Sequence, residues 1–263
     1  MALVRESLAY ATRFLARFGL AGRWRPASEW WVPAASLAGW GWLAVGGNDH
    51  GFAALCAGGG PIGRLVGEWR AGILASQLAG WLLMSLAMTL AMMLPLTIDA
   101  LRYVSLRSFP WRRARALGGW LIGYLVPWIA AASIASLALM TVVGPTARPW
   151  TAAAAFLVAA VWQMTPVKGW ALRACHRTRP LKPSGVSADA SCLLFGARVS
   201  AACMVSCGPM MFAAMATAWP TVALAGVFVV ALRERYVWRP PTRATALALA
   251  AAGGFLALQA IAS

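Results

Sequence analysis

Acidic residues are scarce: Asp and Glu together number seven in 263 residues, against 23 Lys and Arg, and there are two His. With so few carboxylates and imidazoles, general acid and base chemistry has almost no candidates. No paired acids, Walker-type loop, GxSxG or HExxH string occurs, so the chain is expected not to be an enzyme. Charge of either sign is thin, 11% of residues against 61% hydrophobic. That excludes an ordinary soluble domain, which needs more polar surface. A net charge of +16 would suggest nucleic acid in a soluble chain. Here the basic residues are spread over separate loops with no aromatic-interleaved groove, so no nucleic-acid partner is expected. Alternating polarity, the mark of a membrane strand barrel, is missing. No cleavable leader is expected either, because neither an uninterrupted apolar core nor a small-residue cleavage site is evident near the start. The five Cys fall on both sides of the apolar segments and cannot make a disulfide framework.

What the chain has is long apolar stretches, at about 30–46, 72–97, 117–143, 150–167, 192–217, 219–234 and 244–262. Crossing ~30 Å of hydrocarbon takes roughly 20 helical residues. The fold class expected is therefore all-α, a polytopic membrane helix bundle of about seven spans. Six is the alternative, because Pro220 to Leu232 is short at ~1.5 Å per residue and must borrow Arg233 to Val237 or fail to cross. Basic residues mark the cytoplasmic face. Arg102, Arg107, Arg112, Arg113 and Arg115 share one side with Lys168, Arg173, Arg177, Arg179 and Lys182, with Arg233, Arg235, Arg239 and Arg243, and with the N-terminal arm. Arg64, Arg70 and Arg148 fall on the other. The N-terminus is therefore expected inside.

Residues 1–29 form a basic arm. Leu8, Ala11, Leu15 and Phe18 recur at helical spacing, which fits an amphipathic helix on the membrane surface; a disordered basic tail is the alternative. Residues 30–263 read as one transmembrane domain. Gly119 and Gly123 form a GxxxG pair suited to internal helix packing or to a homo-oligomer contact.

The spans offer sulfur as their chemistry. Met84, Met88 and Met92 recur every four residues, and Met93 and Pro95 come next; Cys203 and Cys207 stand one turn apart, beside Met204, Met210 and Met211. Thioethers and thiolates are soft donors that suit Cu(I), and two ligands at i and i+4 can hold one ion. Plain core packing is the alternative use of the same residues. Counting along the helices puts Met88 roughly 13 Å and Cys203 roughly 16 Å above the same membrane face, so the two groups are expected to meet. Pro209 leaves the Val205 carbonyl without its helical donor, a candidate binding notch beside the thiols or an ordinary kink. Arg198 lies inside a span and needs a partner. Glu234, arriving from the same face, is the expected one, with snorkelling of Arg198 the alternative. Cys175 with His176 reads as composition of an exposed inner loop more readily than as a metal access point, and His50 with Cys56 in the outer loop is a weaker pair still.

Three strings resemble a bacterial family of predicted metal-binding integral membrane proteins, sometimes labelled copper chaperones. They are Trp81 to Met84 through Met88 to Ala91-Met92-Met93-Leu94-Pro95; Trp162-Gln163-Met164-Thr165-Pro166-Val167-Lys168 followed by Cys175; and Gly196-Ala197-Arg198 followed by Cys203, Cys207 and Met210-Met211, with Glu234 similar to an acidic residue after the sixth span. Ala171 and Val199 stand where the family pattern has Cys and His, and Ser206 and Gly208 where Cys and Trp are expected. The resemblance implies a protein of the bacterial inner (plasma) membrane. The reading it supports is an integral membrane protein that binds or hands over copper through Met84, Met88, Met92, Cys203 and Cys207. A structural or assembly subunit of a larger membrane complex is the alternative, and a small-solute transporter a third. Expected partners are the lipid bilayer and a membrane protein or a second copy of the chain.

Overall fold

The structure, a computed structural model, describes residues 31–46, 82–83, 85–142, 148–217, 220–236 and 242–262. The basic arm, His50, Cys56 and Met84 lie outside the described residues. All regular structure among the described residues is helical. Helix α1 covers Trp31–Gly46; a helix over Ser85–Met93 comes next, wound as π-helix at Thr89–Met93, and a 3₁₀ turn at Pro95–Thr97 leads into α2, Ile98–Arg107. Then come α3 (Arg113–Val142), α4 (Arg148–Gln163), α5 (Pro166–Cys175), α6 (Val186–Met215), α7 (Pro220–Tyr236) and α8 (Thr242–Ala262).

Among the described residues three helical stretches are long and apolar enough to cross a membrane: Pro110–Ala135, Val186–Met215 and Thr242–Ala262. Two bent pairs raise that to five if each counts as one span: Ser85–Met93 with Pro95–Arg107, bent by 46°, and Trp150–Gln163 with Pro166–Cys175, bent by 76°. A helix occupies every apolar segment read from the sequence. The connections differ from expectation: residues around Arg102 and Arg107, and those from Lys168 to Cys175, are helices rather than loops.

The prolines explain the bends, and the bends explain several long-range contacts. A proline inside a helix leaves the carbonyl four residues earlier without its N–H partner, and in apolar surroundings that oxygen must find another. Pro95 frees Ala91, and Ser36 of α1 donates its hydroxyl to the Ala91 carbonyl at 2.7 Å. Pro209 frees Val205, and the Trp162 indole N–H fills that place at 2.9 Å. At the α4–α5 bend, Thr165 Oγ1 donates to the Trp162 carbonyl at 2.8 Å, while Pro166 takes the first helical position of α5.

The core pair is α3 against α6. Gly119 faces Asp189 and Cys192, Gly123 faces Leu193 and Ala197, and Gly196 faces the Trp120 carbonyl, so the two helices run parallel in step. A Cβ at Gly123 or Gly196 would collide with backbone of the facing helix. The GxxxG pair is thus used inside the chain. Gly196→Val is expected to lower stability by about 1–3 kcal/mol through overpacking, whereas Gly208→Ala, which meets open space, should change it by under ~0.5 kcal/mol. Thermal unfolding of the two variants in detergent checks this. A second pair, α4 against α8, closes on Gly253, which packs over Ala153, Phe156 and Leu157.

The basic segments share one end of the bundle. Tyr103 donates to the Arg179 carbonyl at 2.7 Å, Arg112 to the Pro183 carbonyl at 3.2 Å, and Asp189 takes both Arg112 and Arg115 at 2.6 and 2.7 Å. Gly185, with φ of +74°, turns the chain into α6 at this end.

Candidate metal centre

The π-wound turn decides which methionine reaches the thiols. In a regular helix Met88 and Met92 would share a face, but the Leu94 N–H bonds back to the Thr89 carbonyl, five residues earlier, at 3.2 Å. One extra residue in the turn rotates the side chains beyond it about the helix axis. Met93 is thereby brought to Cys203, with thioether and thiol sulfurs 3.8 Å apart. Met88 and Met92 are buried in the same core. The two sulfur-bearing helices therefore do meet, through Met93 rather than the four-residue stripe.

Cys203 is the hub of a thiol row. Its thiol interacts with those of Cys175 and Cys207. Tyr124, fully buried and stacked on Trp120 with ring centroids 5.1 Å apart, points its hydroxyl at the Cys203 sulfur at 3.5 Å. Ser206 Oγ lies 3.4 Å from the Cys207 sulfur and donates to the Cys203 carbonyl at 3.0 Å. The cysteines here are free and buried. Among the described residues no three Cys, His, Asp or Glu side chains converge as a ready-made metal cage. Cys192 lies apart, beside Ser191, Arg112 and Asp189.

Charges frame the row. Thr165 caps α5 by accepting the Lys168 N–H at 3.4 Å, and the cap aims Lys168 inward. Its ammonium meets the Glu234 carboxylate at 2.8 Å with both side chains 1% exposed. The contact is an ion pair only, since neither Nζ nor the carboxylate oxygens make a hydrogen bond of good angle. Both groups lie close enough to Cys207 to act on its thiol electrostatically. Arg235, also buried, donates to the Cys175 carbonyl at 3.2 Å and fixes the end of α5. Tyr236 donates to the Pro95 carbonyl at 3.0 Å, tying α7 to the kink below Met93.

Two expectations are corrected here. Glu234 takes Lys168 as its partner and not Arg198, whose side chain is exposed. The Val205 carbonyl is no binding notch, because the Trp162 indole occupies it. Beside it, the Met210 sulfur accepts from Gln163 Nε2 at 3.0 Å.

Strings from four separate stretches, the Met-Pro kink, the Thr-Pro-Lys bend with Cys175, the Cys203–Cys207 turn and Glu234, thus come to one place. In comparison with known families, the family described as PpoB2, copper chaperone, matches residues 78–256. The chain belongs to this family. No curated protein and no solved structure matches it. The stretch matched by the copper chaperone family contains every residue of the centre just described. Sequence reasoning misses Met93, Lys168 and Cys175 as site residues. Lys168 reads as a loop charge and Cys175 as an exposed loop residue; the only signal for either is the shared string with the copper chaperone family.

Proposed function

We propose that this member of the copper chaperone family is an integral membrane protein, not an enzyme, that binds Cu(I) at Cys203 and hands it on. Cys175 or Cys207 supplies the second thiolate and Met93 a thioether. The observation that carries the reading is the 3.8 Å contact of the Met93 and Cys203 sulfurs in the buried core, with two further thiols close by. The donor set is all sulfur, which suits a soft monovalent ion and disfavours hard cations. A few sulfur donors, without a closed cage of Cys, His, Asp or Glu among the described residues, suit an ion that is held by few ligands and passed on. Helix number and orientation in this reading are those of the sequence: about seven spans with the basic end facing the cytoplasm of the inner membrane.

Purified protein supplied with Cu(I) is expected to retain about one copper per chain. Protein that retains none, while folded, rejects the reading in favour of a metal-free subunit of a larger membrane assembly. Met93→Leu should weaken Cu(I) retention roughly tenfold, and Met92→Leu should leave it nearly unchanged, because the sulfur in contact with Cys203 is that of Met93. Competition with a coloured Cu(I) chelator measures both.

A further inference from the structure

We propose that the buried sulfurs of α6 beyond Cys203 form a route by which Cu(I) reaches the centre from the Met215 end. The proposal rests on the membrane and copper readings above and adds the direction of loading. Along α6 the sulfur side chains recur at Cys203, Cys207, Met210, Met211 and Met215, and each is buried. Met204, Val205, Gly208 and Phe212, on other faces of the same stretch, are only partly buried. The sulfur row is therefore turned inward and not toward the surroundings.

Steps of three or four residues advance the next sulfur by about 4.5–6 Å along the axis, and the whole row spans about 18 Å. Met210 is held through its sulfur by Gln163, so at least one thioether already sits on a polar contact that a soft cation can replace. Thioethers are neutral and thiolates are charged, so affinity for Cu(I) rises from the Met215 end toward Cys207 and Cys203. The ion moves by ligand exchange, one Cu–S bond forming as another breaks, with no change in oxidation state. At the far end Cys175, the last residue of α5, touches the row at Cys203, and exposed His176 comes directly after it, which places the hand-over at the basic end.

The test uses the full chain reconstituted in lipid vesicles, sorted so that either the Met215 end or the basic end faces outward, with ascorbate-reduced copper added outside. Met211→Leu with Met215→Leu keeps side-chain volume and apolar packing. The double variant is expected to reach the wild-type copper content. From the Met215 face it should load at least about tenfold more slowly, and from the basic face at an unchanged rate. Equal rates for variant and wild type from the Met215 face overturn the route, as does a lower final copper content, which would make these methionines structural or direct ligands. A wild type that takes up no copper from either face removes the copper reading itself, and the route with it.

Discussion

Replacing Lys168 by Met is expected to destabilise the folded protein by about 3–5 kcal/mol, and replacing Glu234 by Gln in the same chain to restore most of that loss. The reason lies in burial. The ammonium and carboxylate meet at 2.8 Å with only 1% of either side chain exposed. Removing the ammonium leaves the carboxylate charged in apolar surroundings, and that desolvation cost far exceeds anything an exposed pair carries. Removing both charges leaves neither stranded. The pair also joins α5 to α7, so the single variant should loosen the turn that carries Cys175. Unfolding of both variants in detergent measures the difference; equal stability of Lys168→Met and wild type would mean the pair is hydrated in the native protein. Arg198→Gln, by contrast, should cost under ~0.5 kcal/mol, because that side chain is exposed and Glu234 is already matched.

Cys203→Ser is expected to lower Cu(I) affinity at least about 100-fold, more than any other single change in the chain. Loss of a group that only orients a ligand costs roughly 10–100-fold. Cys203 is itself the ligand in the proposed centre, and its thiol meets the Met93 sulfur and interacts with Cys175 and Cys207. Serine keeps the shape but offers a hard oxygen, which Cu(I) disfavours. Cys192→Ser serves as the control, since Cys192 sits beside Asp189 and Ser191 and away from the row. Equal losses for both variants would show that thiol content, and not this position, governs the affinity.

The helices are legible in the sequence because apolar runs of this length have few other uses, and each run carries a helix. Their bends are legible only as prolines. What a bend does depends on which side chain reaches the freed carbonyl. Ser36 and Trp162 come from 55 and 43 residues away, a distance no local pattern encodes. The methionine stripe misleads by one residue because it assumes 3.6 residues per turn, and the π-wound stretch at Thr89–Met93 breaks that period. The pairing of Arg198 with Glu234 fails for a related reason. It matches charges across adjacent helices, whereas the 76° bend at Thr165–Pro166 folds Lys168 back into the core. Cys175 is hidden by the same bend: in sequence it belongs to a basic stretch, and in space it belongs to the thiol row.

X-ray absorption at the copper edge, on protein loaded with one Cu(I) per chain, tests the central claim most directly. The account predicts a shell of two or three sulfurs at about 2.3 Å, the usual metal–thiolate distance, that loses sulfur in Cys203→Ser and in Met93→Leu. A shell of nitrogen or oxygen, or a sulfur shell unchanged in Cys203→Ser, would contradict it.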